Sequence, residues 1–195
     1  MTPTKRIRQK IVEARKKFKE YNGYCCCLVL WGNGAPLVDL TEPEVMLGSM
    51  EGNYGFSMPF DPKTGHIDPS KATHGFHEGG KMVRPHSTEP QNTRISALIT
   101  LRPVRVGYTK YERQVGNLAR EGNHTPEEYF DAAAPFDLNE EYLGVIVWEN
   151  RFASKPFPRE LFAGPYDERW GADGTELKRI YAGTGILVLE QPTDS

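Results

Sequence analysis

Long apolar runs are absent from this sequence of 195 residues. A helix that crosses a bilayer needs about 20 consecutive apolar residues, whereas the longest apolar run, Cys25 to Trp31, has only the length of one buried strand. The basic N-terminal segment also lacks the apolar region and the small-residue cleavage site of a secretory signal. The sequence therefore predicts neither a membrane span nor secretion by that route.

Cysteine is scarce, and its three copies are consecutive at Cys25, Cys26 and Cys27. A disulfide requires two Cα atoms about 5.5 Å apart with converging side chains, a geometry that neighbouring cysteines rarely reach. An odd number of cysteines within an apolar strand indicates reduced thiols that pack as small hydrophobic groups. We therefore expect a cytoplasmic protein.

Motifs for several common ligand sites are also missing. The sequence has no P-loop, G-x-S-x-G, G-x-G-x-x-G or H-E-x-x-H pattern. Gly32-Asn33-Gly34 follows an apolar strand, but the third glycine is lacking and the segment runs into Pro36. A dinucleotide site of the Rossmann type is therefore not expected at this turn.

The periodicity of apolar residues predicts a single α/β domain over residues 1–195, with a mixed sheet flanked by helices. Proposed start and stop signals are Thr4 and Asn22-Gly23 for the first helix, and the capping boxes that begin at Thr41 and Thr125 for two short helices. The expected order is helix 4–21, strand 24–31, helix 41–50, strand 94–106, helix 125–134, strand 142–148 and strand 180–189.

Residues 51–93 show no such periodicity and are rich in glycine, proline, serine and histidine. We therefore expect a long irregular excursion from the domain at about these positions. A loop of this length in a compact domain is usually functional or disordered.

Positive charge is concentrated in the first helix. The chain has a formal net charge of −2, yet residues 1–22 contain eight lysines and arginines against two glutamates. Arg8, Arg15, Lys16 and Lys19 are the candidate nucleic-acid contacts, because clustered cations neutralise phosphates and release counterions. The alternatives are an acidic protein partner and a solvated outer face of an amphipathic helix.

Four of the five histidines lie in the excursion. His74 and His77 form an H-x-x-H pair that could offer two imidazoles to a divalent metal, with His86 or a carboxylate completing the site. A polar surface loop and a pH-sensitive contact are the alternatives for these residues.

Two segments have the acid-x-Lys spacing of metal-dependent nucleases, Asp61 to Lys63 and Glu176 to Lys178. That chemistry places the acid on Mg²⁺ and the lysine near the attacking water, both at the end of a strand. Neither segment has the expected strand context, and surface charge is the alternative for both.

Residues 148–162 combine a strand that ends at Asn150, an aromatic residue and alanine, a proline-flanked turn, and Leu161-Phe162. This segment resembles the closing segment of restriction-endonuclease-like proteins of the PD-(D/E)xK class. The opening of the chain is similar to the later portion of those proteins, with a basic helix, a buried strand and a short helix.

The resemblance implies an α/β protein of DNA restriction, repair or defence, in a class of nucleases that use Mg²⁺. In that class the metal-binding acids precede the basic helix, and this chain starts at the helix, so no catalytic residue is carried over. A fragment, a partner of a separate catalytic chain, or a member that binds without cutting are all compatible with it.

Three functions therefore follow from the sequence. The first is a nucleic-acid-associated protein that uses the basic helix. The second is a non-catalytic protein-interaction or regulatory domain, in which the helix binds an acidic partner and the excursion orders on binding. The third is a metal-dependent hydrolase built on the histidines of the excursion.

Overall fold

The computed structural model describes residues 2–32, 40–83, 89–122, 124–135, 137 and 139–186. The helices of this part of the chain are α1 (Pro3–Lys17), α2 (Pro43–Met50), α3 (Val106–Glu121) and α4 (Pro126–Ala133). The strands are β1 (Cys26–Leu30), β2 (Gly52–Ser57), β3 (Thr73–Gly79), β4 (Ile95–Arg105), β5 (Glu141–Glu149), β6 (Glu168–Asp173) and β7 (Glu176–Ala182).

Five of these strands form one mixed sheet in the order β1-β4-β5-β6-β7. β1 runs parallel to β4, β4 antiparallel to β5, β5 parallel to β6, and β6 antiparallel to β7. The predicted α/β class with a mixed sheet is confirmed. None of the described helices is long and apolar enough to cross a membrane.

The first face of the sheet is covered by α1 and α2. The stripe Ile7, Ile11 and Ala14 is buried, because spacings of four and three place these residues on one side of a helix. They belong to one cluster with Leu98 of β4 and Trp148 of β5. Each large side chain buried here contributes about 1.5–3 kcal/mol to folding.

The second face is covered more thinly, by the segment that follows β5. Phe157 of this segment packs in a small cluster with Ala97, Ile99 and Val147. The strand β1 lies at the edge of the sheet, and Val29 on it is 56% exposed. The apolar run of this strand predicts burial on both faces, and this prediction was wrong, because the second face of the sheet leaves Val29 uncovered.

The excursion at 51–93 is more regular than expected. Within it β2 and β3 pair as a separate antiparallel ribbon, and a short 3₁₀ helix covers Pro69–Lys71. Glycines interrupt the alternation of apolar and polar residues by which a strand is recognised. The pairing of β2 with β3 nevertheless requires a glycine at position 52. A Cβ built on Gly52 would lie 1.5 Å from the carbonyl oxygen of His77.

Of the three predicted N-terminal helix caps, one is confirmed and two are wrong. Thr125 forms the expected capping box, in which it accepts from the Glu128 amide and the Glu128 carboxylate accepts from the Thr125 amide. α1 and α2 instead begin at prolines, with Thr2 and Glu42 at the N-cap positions and no side-chain cap in either helix. The caps proposed at Thr4 and Thr41 were therefore wrong.

Outside the excursion, two elements were missed and one was misplaced. α3 follows β4 without an intervening turn, and β6 replaces an expected loop. The last strand, expected at 180–189, is β7 and spans Glu176–Ala182, while residues 187–189 lie outside the described part of the chain.

Candidate functional site

Three chain segments meet at one end of the main sheet. β1 and β4 are parallel and both begin there, and the antiparallel strand β5 ends there. The residues before β1, the residues before β4 and the loop after β5 are therefore neighbours, although they are far apart in the sequence.

A cleft with two adjoining lobes lies at this end, and we refer to it as the basic cleft. The first lobe encloses about 510 Å³ and is lined by Val12, Arg15, Lys16, Lys19, Asn92, Thr93, Arg94 and Ile95. The second lobe encloses about 300 Å³ and is lined by Tyr21, Asn22, Gly23, Tyr24, Thr93, Arg94, Ser154 and Lys155. Thr93 and Arg94 line both lobes.

The charge of the basic cleft is of one sign. Its five cations are all exposed, and none forms an ion pair with a carboxylate in the described part of the chain: Arg15, Lys16, Lys19, Arg94 and Lys155. No described residue in the lining of either lobe is acidic. The positive charge is therefore available to a ligand rather than used within the protein.

Arg94 occupies the junction of the two lobes. One of its guanidinium nitrogens donates to the carbonyl oxygen of Lys19 over 2.8 Å, and this bond joins the end of the first helical segment to the start of β4. A guanidinium carries five N–H donors. Donors beyond the one used on Lys19 therefore remain for a phosphate oxygen.

The floor of the basic cleft is held by the loop that follows β5. The buried Asn150 donates to the carbonyl oxygen of Ile95 over 2.7 Å and accepts from the Phe152 amide over 3.0 Å. The Ser154 amide donates to the carbonyl oxygen of Thr93 over 2.7 Å. These bonds fix the backbone that precedes β4, and with it the position of Arg94.

Arg15, Lys16 and Lys19 of the predicted set line the basic cleft, but Arg8 does not. The Arg8 guanidinium donates to the carbonyl oxygen of Gly48 and to Asn53, both over 2.8 Å, and so joins α1 to α2 and β2. Burial lowers its pKa from the ordinary arginine value. The contacts of Arg8 are those of a residue that supports the fold.

The two tyrosines of the second lobe were not predicted as site residues. Tyr21 falls within the helix predicted over 4–21, yet α1 ends at Lys17, and Tyr21 and Tyr24 are 55% and 69% exposed. Their ring centroids are 6.4 Å apart at an interplanar angle of 78°. The nearby helix-stop pair Asn22-Gly23 was the available signal, because residues at a helix end leave the buried stripe.

Two of the three predicted metal ligands, His74 and His77, lie on β3 rather than in an irregular loop. His74 packs against the rings of Tyr54 and Phe56, and a ring nitrogen of His77 lies 2.9 Å from the carbonyl oxygen of Gly55. Residues three apart on a strand point to opposite faces.

The described residues hold no group of three or more histidine, cysteine, aspartate or glutamate side chains that could bind a metal ion. His86, the third ligand of the set, lies outside the described part of the chain. The metal site therefore stays a prediction from the sequence.

The two acid-x-Lys segments lie outside the basic cleft. Asp61 accepts from the Lys63 amide and the Thr64 hydroxyl, both over 2.8 Å, so its carboxylate stabilises its own turn and its pKa is lowered by these bonds. On β7, the Lys178 amine pairs with Asp173 over 2.8 Å. Both segments carry local surface contacts.

The three cysteines differ in exposure beside the second lobe. Cys25 is exposed and follows Tyr24, whereas Cys26 is buried and Cys27 is half-buried. Burial, with a smaller contribution from the neighbouring Cys25, raises the pKa of the Cys27 thiol to about 12. Burial also raises the pKa of Cys26.

No protein-family model, no curated protein and no solved structure matches this chain.

Proposed function

We propose that this protein binds nucleic acid, and that the basic cleft is the surface that contacts the phosphate backbone. The observation that supports this most is the set of five exposed cations, contributed by three separate segments, without a carboxylate among the described residues of the lining. An ordinary protein surface mixes both signs of charge. A cleft of one sign concentrates the field and attracts a polyanion.

The distribution of charge over the whole chain supports the same proposal. The basic cleft holds five of the 24 lysines and arginines, which leaves 19 against 26 aspartates and glutamates, so the chain outside the basic cleft has a net negative charge. A polyanion is repelled by an acidic body and attracted to a basic cleft, and this orients the approach of the polyanion. Each phosphate contact would release counterions and make the affinity dependent on salt.

The link to restriction-endonuclease-like proteins belongs to the same proposal. Asn150 and the loop after it, which carry the resemblance, support the floor of the basic cleft. The acid-x-Lys segments lie outside the basic cleft. The proposed function is therefore binding of nucleic acid, without cleavage by these two segments. A cytoplasmic location is part of this proposal.

A gel-shift assay with labelled duplex and single-stranded DNA tests the proposal. The purified full chain is mixed with each probe at low and moderate salt, with Mg²⁺ and with EDTA. We expect a shift that weakens steeply with salt and no cleavage. Cleavage that requires Mg²⁺ would contradict the binding-only part, and probes that neither shift nor are cut would contradict nucleic-acid binding altogether.

A second candidate function, protein interaction, is favoured by one separate observation. The β2–β3 ribbon and the loop it carries expose four large apolar side chains: Phe56, Met58, Phe60 and Ile67. Exposed apolar groups that lie together are typical of a contact surface. Copurification of a stoichiometric partner that is lost in a Phe56→Ser, Phe60→Ser variant would support this function. A lone monomer in crude lysate would count against it.

A further inference from the structure

The second lobe of the basic cleft combines cations with exposed aromatic rings. Tyr21 and Tyr24 line it together with Arg94 and Lys155. Both tyrosines expose more than half of their surface, and they touch each other edge to face. In this arrangement the edge of one ring meets the face of the other, so the pair leaves ring faces uncovered.

Two exposed tyrosines at this position do not stabilise the hydrophobic core. The core cluster on the first face of the sheet draws on Phe18 from the same segment, which is half-buried, and not on the tyrosines. Aromatic faces beside phosphate-binding cations are a recurring arrangement in proteins that bind single strands, because every base has a face that can stack. In a duplex these base faces are already stacked on one another.

We infer that the basic cleft binds single-stranded nucleic acid, with phosphates along the first lobe and unpaired bases stacked on Tyr21 and Tyr24 in the second. This inference rests on the proposed function, since the same cations hold the backbone. It adds the class of nucleic acid and the residues that select it. Stacking discriminates little among bases, so the binding is tolerant of sequence.

The number of cations in the basic cleft predicts how steeply the affinity falls as the salt concentration rises. If all five cations of the basic cleft contact phosphates, the logarithm of the affinity falls with the logarithm of the salt concentration with a slope of about −3.5 for a single strand. The corresponding slope for a duplex is about −4.5. Replacement of the tyrosines leaves this slope unchanged, because the tyrosines carry no charge.

Fluorescence anisotropy with three labelled probes of equal length tests the inference. The probes are oligo-dT of about 12 nucleotides, which lies within the usual site sizes, an abasic strand with the same phosphates, and a duplex. The variants are Tyr21→Ala with Tyr24→Ala, and Tyr21→Phe with Tyr24→Phe, which keeps both rings. Tyr108→Ala is the matched control, because Tyr108 is also exposed and paired with a tyrosine but lies on α3 beyond the opposite end of β4.

We expect oligo-dT to bind more tightly than the abasic strand and the duplex. Loss of stacking on one tyrosine weakens binding roughly 5- to 150-fold, so the double alanine variant should bind oligo-dT about 30-fold more weakly or worse. Its affinity for the abasic strand should not change. The phenylalanine variant and Tyr108→Ala should bind like the wild type, and thermal unfolding should show that all variants are folded.

Equal, salt-sensitive binding of oligo-dT and the abasic strand would overturn the stacking inference while leaving the proposed function in place. Tighter binding of the duplex would do the same. If none of the three probes binds at low salt, the proposed function fails, and the inference fails with it.

Discussion

Two groups of positively charged side chains in this protein lie in opposite environments. In the basic cleft Arg15, Lys16 and Lys19 are exposed and have no carboxylate partner in the described part of the chain. In the middle of the sheet Arg169 is 2% exposed and Arg102 is paired with the buried Glu168. The arginines of the second region, here called the saturated region, are paired with carboxylates, whereas the cations of the basic cleft are not.

The contacts of Arg169 show what saturation means. Its guanidinium donates to Glu149 over 2.7 Å and to the carbonyl oxygens of Pro158 and Leu161 over 2.9 and 2.8 Å, and it lies 5.3 Å from the centroid of the Phe157 ring. This arginine organises the loop over the second face of the sheet. An arginine with these partners has few N–H donors left for a ligand. The cations of the basic cleft keep donors that a ligand can use.

The largest expected effect is on stability, in the saturated region. Arg169→Ala should lower the free energy of unfolding by about 3–5 kcal/mol, because it leaves the Glu149 carboxylate and several carbonyl oxygens without their donor. Denaturant unfolding followed by circular dichroism measures the change. Arg159→Ala, an exposed arginine of the same loop, is the control and should change stability by less than about 0.5 kcal/mol. An equal loss of stability in Arg169→Ala and Arg159→Ala would show that the buried contacts of Arg169 do not stabilise the fold.

The next largest effect is expected at Asn150, where one substitution should change both stability and binding at the basic cleft. Asn150→Ala removes the bonds to Ile95 and Phe152 and should cost about 1–3 kcal/mol. Because Asn150 supports the floor of the basic cleft, the variant should also bind nucleic acid more weakly under conditions in which it is folded. Ser154→Ala is the control for stability, since only the backbone of Ser154 bonds to Thr93. Unchanged binding by a folded Asn150→Ala protein would refute the supporting role.

A smaller effect concerns a buried carboxylate. Glu51 is buried beside Arg151, whose guanidinium lies 3.0 Å from it, but neither carboxylate oxygen has a hydrogen-bond partner of good geometry among the described residues. Burial raises the pKa of Glu51, against the opposing effect of Arg151. The folded protein therefore binds this proton more tightly than the unfolded chain does.

It follows that the wild type loses stability as the pH rises from the ordinary glutamate pKa of 4.5 through the raised value of the folded state. Glu51→Gln cannot ionise and should therefore be more stable than the wild type at neutral pH. The gain should disappear below about pH 4.5. Thermal unfolding at a series of pH values measures it, and a gain that grows at low pH would contradict the assignment.

The smallest effect is chemical and leaves stability unchanged. Cys25 is exposed, while Cys26 is buried and the pKa of Cys27 is raised to about 12. Because thiolates react and thiols do not, a maleimide at pH 7.5 should label Cys25 first, and a bound oligonucleotide should slow that labelling. Peptide mass mapping identifies the modified residue. Labelling of Cys27 before Cys25 would contradict the exposures.

Local patterns predicted the main helix and the central strands. α1 follows from the spacing of Ile7, Ile11 and Ala14, and β4 and β5 follow from their runs of apolar and β-branched residues. The β2–β3 ribbon could not be predicted in the same way, because its glycines interrupt the alternation on which a strand is recognised. Whether β1 is buried or at an edge depends on the order of the strands, which the local pattern does not contain.

The basic cleft was predictable only in part. Arg15 and Lys16 lie on α1 and Lys19 lies on the 3₁₀ turn that follows it, so the sequence alone groups them. Arg94 joins them through a bond to a residue 75 positions away, and Lys155 through the loop after β5. Arg8 belonged to the same charge cluster in the sequence, and only the contacts with Gly48 and Asn53 distinguish it.

The central claim is that the unsatisfied cations of the basic cleft bind nucleic acid, and a pair of charge reversals tests it most directly. Lys16→Glu with Lys19→Glu is compared with Lys63→Glu and Arg120→Glu, which are also exposed but lie outside the basic cleft. Anisotropy titrations with labelled oligo-dT are run at several salt concentrations.

We predict that the variant of the basic cleft binds on the order of 100-fold more weakly at low salt, with a salt slope reduced by about two, and that its stability is unchanged. The control pair should bind like the wild type. Equal loss in both pairs, or undiminished binding by the variant of the basic cleft, would contradict the claim.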